Sequence, residues 1–161
     1  MAELTIKTDI LAPAYVKTLK FSGHNPARLL KEMPGLLLET FKRTPPDLFW
    51  DQIKWDVLTE PVAFYGAWRI RDRKDLRSTV WGIVIIQGKQ AKDMSGSATV
   101  WLRGDLITKF PYTSFIEKAI ARVYIWLFYK EHKRRYVAEA RERLDALEDA
   151  IRKLFGIMAR E

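Results

Sequence analysis

Few side chains in this sequence could carry out chemistry, and they are scattered. His24 and His132 are the only histidines, and there is no cysteine. Without thiols the chain has no disulfide, no thiolate metal site and no cysteine nucleophile. No His-Glu-x-x-His spacing and no glycine-rich phosphate loop occurs. His24 reads as a turn residue ahead of a helix, and His132 as part of an exposed basic run. Asp51 and Asp56 flank Trp55 and are acid–base candidates if they line a cavity. No metal and no cofactor is predicted, and catalysis is the least supported function.

Two other groups of residues point to binding. Trp68, Trp81, Trp101, Tyr124, Trp126 and Phe128 lie on predicted strands and on the front of a long helix. Aromatics at such spacing build a core, and they also line apolar pockets. The predicted ligand-contacting set is Phe64, Trp68, Trp101, Val123, Tyr124, Leu127 and Phe128. The second group is basic. Arg69, Arg71 and Arg73 share one strand face, and Lys130, Lys133, Arg134 and Arg135 crowd the middle of the helix. The formal net charge is +8 and the isoelectric point about 9.7. Merged into one surface, these groups could follow a phosphate backbone, with Tyr129 and Tyr136 for stacking. Spread among acids, they are a solvated face.

The elements that must position these groups follow from periodicity. Residues 112–155 contain no Pro or Gly. Apolar residues recur there in steps of four and three at Ile116, Ile120, Val123 and Leu127, then at Val137, Ala140, Leu144, Leu147, Ile151 and Leu154. That is the stripe of a helix burying one side. Ser114 and Glu117 stand at capping-box spacing. Lys130 and Arg134 interrupt the stripe. They either snorkel from its edge, pair with a sheet carboxylate, or meet an anionic head group. The heptad-like end, 137–161, offers a projecting or self-associating segment and hence a homodimer.

Upstream, residues 4–8 form a strand or arm and 14–21 a strand. Asn25-Pro26 starts a helix that Pro34-Gly35 ends or kinks. Residues 47–52 suggest another short helical piece. Val62 to Asp72 alternates cleanly, with Val62, Phe64, Trp68 and Ile70 on one face. Residues 78–87 are nearly all apolar and read as a strand covered on both faces. Residues 97–103 and 106–110 read as two strands joined at Gly104-Asp105, which also makes Arg103-Gly104-Asp105 a turn. Short loops imply antiparallel pairing.

A chain of 161 residues, 48% of them apolar, is one domain with a substantial core. No apolar run reaches membrane-spanning length, and residues 1–10 hold no signal-peptide core, so a cytoplasmic protein without a transmembrane segment is expected.

The order strand, two short helices, strand meander, long helix resembles the START-like or SRPBCC superfamily, the helix-grip fold. The resemblance lies in the order of elements across most of the chain. It implies an α+β fold with a curved antiparallel sheet gripping the C-terminal helix, and a hollow between them holding an apolar ligand. Two functions follow. One is non-enzymatic binding of an apolar or amphipathic, lipid-like molecule in that hollow. The alternative is a basic adaptor for RNA or the ribosome.

Overall fold

A computed structural model describes residues 2–154. Six strands form one antiparallel, curved and unclosed sheet. They are β1 (Ala2–Asp9), β2 (Lys17–His24), β3 (Leu48–Asp56), β4 (Val62–Arg73), β5 (Ser78–Gln90) and β6 (Ser95–Tyr112). The spatial order is β1-β6-β5-β4-β3, and β2 also pairs with β6. β1 runs beside Asp105 to Tyr112, and β2 beside Ser95 to Leu102. The first two strands therefore lie end to end along one long partner. Helix α1 (Arg28–Phe41) follows β2, and the C-terminal helix runs from Phe115 to Leu154. The latter has three parts: α2 (Phe115–Tyr124), a π turn (Ile125–Tyr129) and α3 (Lys130–Leu154). The α+β architecture is the one expected from the sequence.

Alternation sets the inner face. Phe64, Trp68 and Ile70 of β4, Val80, Val84 and Ile86 of β5, and Ala98, Val100, Leu102 and Leu106 of β6 are all buried. Against them pack Leu29, Met33, Leu37 and Phe41 of α1 and Tyr136, Ala140, Leu144, Leu147 and Ile151 of α3. Residues 137–154 thus lie on the sheet, and residues 155–161 of the expected projecting end fall outside the described region. The helix is capped as the spacing predicts. Ser114 Oγ accepts the Glu117 N–H at 3.2 Å, while Glu117 Oε2 accepts the Thr113 N–H at 2.7 Å.

Four local expectations change. Pro34 does not end α1, which continues to Phe41. An interior proline costs about 3 kcal/mol, but four buried side chains at roughly 1.5–3 kcal/mol each outweigh it. The second short helix is reduced to a 3₁₀ turn (Pro45–Asp47), and the residues after it form strand β3, where Trp50 and Trp55 pair across from Trp68 and Phe64. β6 is a single 18-residue strand. Gly104 sits within it because a Cβ there would come within 3.1 Å of Ile10 and 3.0 Å of Leu144. Close approach of two core side chains, rather than a turn, calls for glycine. Finally, β5 is covered on one side only. Trp81, Ile83 and Ile85 are partly exposed on the outer face.

Candidate functional site

Polar side chains interrupt the inner face at one end of the sheet. Ser78 begins β5 and Thr108 pairs with it on β6, both on the buried side. Ser78 Oγ and Thr108 Oγ1 are 3.0 Å apart, and Thr108 Oγ1 bonds the hydroxyl of Tyr129 from the π turn. A buried hydroxyl needs such partners, so the three form a chain that fixes the π turn of the helix to the sheet.

Beside this chain the turn after β4 is tied to α3. Asp75 Oδ1 accepts the backbone N–H groups of Arg77 and Ser78, each at 2.7 Å. Its Oδ2 accepts the Tyr136 hydroxyl at 2.8 Å. Partial burial opposes ionisation of Asp75, but these three hydrogen bonds outweigh it and hold the carboxyl below its usual range. Burial pushes the Tyr129 and Tyr136 phenols up, and the hydrogen bond to Asp75 raises Tyr136 further. At neutral pH the phenols are therefore protonated and Asp75 is charged.

Between these groups and the front of the helix lies an open cleft of about 360 Å³. Phe110, Tyr124 and Tyr129 supply aromatic walls. The Phe110 ring is 5.7 Å from Tyr124 and 6.2 Å from Tyr129. The Arg77 guanidinium lies over the Phe110 ring at 5.1 Å and near Tyr124 at 5.8 Å. Among the described residues it has no carboxylate partner. His132 completes the rim, stacked on Tyr136 at 6.2 Å. The cleft thus combines apolar walls, hydroxyl donors and one cation, a composition suited to binding.

Of the seven residues predicted to contact a ligand, Tyr124 lines this cleft. Phe64 and Trp68 are packed in the core, where Trp68 Nε1 has no hydrogen-bond acceptor among the described residues. Trp101 pairs with Ile85 on the outer face of the sheet. Val123, Leu127 and Phe128 are exposed on the helix. Asp75, Arg77, Ser78, Thr108, Phe110, Tyr129 and His132 were not in the predicted set. Ser78 and Thr108 did carry a signal: each is a polar residue at an inward position of an apolar strand.

The basic residues divide between the two sides of the sheet. Arg69 and Arg71 project from the outer face, paired with Asp51 at 2.7 Å and Asp47 at 3.1 Å. Phe49 and Trp81 lie under their guanidinium groups. Arg73 follows on the same face and is exposed. Lys130, Lys133 and Arg134 instead line a groove of about 610 Å³ between α3 and the end of β1. Arg135 lies over Tyr136 at 5.3 Å. The sheet separates the two sets. Asp51 is committed to Arg69, and Asp56 accepts the Leu58 N–H at 3.0 Å. Among the described residues no cluster of three His, Asp or Glu side chains could hold a metal ion. No described helix is long and apolar enough to cross a membrane.

No family model matches the chain, and no curated protein matches it significantly. Solved structures similar at low level include two of uncharacterized proteins. A protein of unknown function from Staphylococcus aureus is 11% identical, with 96% of this chain and 98% of that chain covered at a TM-score of 0.30. An uncharacterized protein from Rhizobium leguminosarum is 8% identical, with 92% and 96% covered at a TM-score of 0.23.

Proposed function

We propose that this protein is a non-enzymatic binding protein for a small amphipathic molecule, held in the cleft between the sheet and the C-terminal helix. The observation that carries the reading is the cleft's division of labour. Phe110, Tyr124 and Tyr129 form the apolar walls, the Ser78–Thr108–Tyr129 hydroxyl chain forms a polar floor, and Arg77, without a carboxylate partner among the described residues, stands at the rim. Such a site takes an apolar ring or chain by its walls and an acidic or acceptor head by the guanidinium. A volume of about 360 Å³ suits a small ligand. The curved antiparallel sheet with a long C-terminal helix is compatible with a helix-grip fold, and the resemblance to that fold supports a ligand site between sheet and helix.

The reading favours binding over catalysis because the ionisable groups are committed. Asp75 accepts three hydrogen bonds, and the phenols of Tyr129 and Tyr136 hold their protons. The alternative of a nucleic-acid adaptor is less well supported, since the strand arginines pair with Asp51 and Asp47 on the opposite face.

The test is titration with 11-(dansylamino)undecanoic acid, a fluorescent chain with a carboxylate head. Saturable binding is expected, with Arg77→Ala and Tyr124→Ala each weakening it about tenfold, the equivalent of about 1.4 kcal/mol. Phe115→Asp with Trp126→Asp, two exposed positions about half a turn around the helix from Tyr124, should leave it unchanged. Absence of binding, or binding lost in the helix variant but kept in Arg77→Ala, refutes the assignment.

A further inference from the structure

The front of the C-terminal helix carries an apolar face that no described residue covers. Phe115, Ile116, Ile120, Val123, Trp126 and Leu127 are between 53% and 84% exposed. On a 100°-per-residue wheel they fill one broad arc, while Ala121 and Ile125 face the sheet beside Phe110. Scattered exposed apolar residues need no explanation, but a contiguous stripe with two large aromatics does.

Charge selects the occupant. Between Phe115 and Arg135 the helix carries Lys118, Arg122, Lys130, Lys133, Arg134 and Arg135, against Glu117 and Glu131. Glu117 is committed to Thr113 at the helix start. Among the described residues, none of these six cations forms an ion pair with a carboxylate. A second copy of the chain would bring the same cations against themselves. An anionic surface would neutralise them and bury the apolar arc at once. Aromatic and aliphatic residues on one side, flanked by Lys and Arg, characterise helices that lie in the plane of a membrane interface.

We infer that residues 115–128 dock this protein on anionic lipid bilayers as an interfacial helix, with Trp126 and Phe115 at head-group depth and Arg122, Lys130 and Arg134 against lipid phosphates. Docking uses the face of the helix turned away from Ala121, Ile125 and the sheet, whereas the cleft lies on the sheet side of Tyr124, so docking is tested separately from what the cleft binds.

The test is co-sedimentation of the full chain with vesicles of phosphatidylcholine alone and with about one-third phosphatidylglycerol, at low and high salt. Binding to the anionic vesicles is expected, weakened by salt, with a blue shift in tryptophan emission that Trp126→Phe removes. Ile120→Asp with Val123→Asp should lower partitioning more than tenfold. So should Lys130→Glu with Arg134→Glu, since each cation near an anionic surface is worth about fivefold. All these positions are exposed, so urea unfolding confirms that the variants fold. Failure to bind anionic vesicles overturns the inference, as does equal binding by the Ile120/Val123 variant. A wild-type dimer that this variant turns into a monomer assigns the stripe to a second copy instead. Retention on RNA but not on vesicles, lost on charge reversal, assigns the cations to a nucleic acid and likewise overturns it.

Discussion

Asp72 is the residue whose charge the fold can least lose. It is fully buried on β4, and three cations converge on it from three directions. Arg43, just past the end of α1, bonds Oδ1. Lys74 Nζ lies 2.8 Å from Oδ2, and Arg143 of α3 approaches the same oxygen to 4.0 Å. Glu139 shares Lys74 at 2.8 Å and Arg143 at 3.2 Å but does not reach Arg43. Asp72→Asn keeps the shape and removes the charge. Arg43 then has no carboxylate, and Lys74 with Arg143 is left to Glu139 alone. Removing one partner of a buried ion cluster costs about 3–5 kcal/mol, a large part of a total stability of about 5–15 kcal/mol. With a urea slope of about 2 kcal/mol/M, the unfolding midpoint should fall by about 1.5–2.5 M. The control is Asp145→Asn, whose partner Lys17 also bonds Glu148 and whose side chain is 58% exposed. That change should cost under about 1 kcal/mol. If Asp72→Asn also costs under about 1 kcal/mol, followed by circular dichroism, the cluster is not a buried one and the reasoning fails.

Three further outcomes follow from the same structure. Glu148 is held below its usual range, since hydrogen bonds from Lys17 and Arg152 outweigh the opposing effect of burial, and Glu139 is lowered by Lys74 and Arg143. A depressed carboxyl contributes stability that is present above its unfolded pKa and lost as pH falls through the folded one. Thermal melts should therefore decline from about pH 4.5 downward, and an unchanged melting temperature at pH 3 would contradict this. Gly66→Ala would set a methyl 2.5 Å from the Trp68 ring and 2.7 Å from Leu30, so a loss of about 1–3 kcal/mol in urea unfolding is expected. Ile120→Asp with Val123→Asp should change stability by under about 1 kcal/mol, because both side chains stand in water; a core position would lose several times more.

Much of the fold is legible because local signals agree with one another. The alternation in β4 names its inner face correctly, and Ser114 with Glu117 marks the helix start. Where the reading departs from the structure, tertiary contacts decide. Pro34 punctuates locally, but the stripe from Leu29 to Phe41 holds the helix together across it. Gly104 resembles a turn residue until Ile10 and Leu144 are seen against its Cα. The cleft was harder to read, since it is assembled from a turn, two strand ends and the helix. No single stretch contains it. Ser78 and Thr108 are 30 positions apart in the chain and meet only through strand register.

The apolar stripe of the long helix shows how a correct period can still give a wrong face. A strict seven-residue step drifts by about 20° per heptad on a 3.6-residue helix, so from Ile116 to Ile151 it rotates by about 100°. The π turn at Ile125–Tyr129 adds one residue, roughly another 100°. Together these turn Ile116 nearly opposite Ile151 and bring Ala121 to the sheet. Expecting the stripe to be buried throughout assumed that it stayed on one face. A consequence is that the π turn behaves as a one-residue insertion between two segments that are each in phase with the sheet. Deleting Trp126, which is 77% exposed, should restore a continuous α-helix and keep both Ala121 and Tyr136 facing inward. Its cost should be under about 1 kcal/mol. Deleting the exposed Ala138 should instead rotate the helix by about 100° between Tyr136 and Ala140, stripping the core of one or the other. That variant should unfold at far lower urea. Equal damage from the two deletions would mean that the π turn is required for the fold, and that the two flanks are not in phase without it.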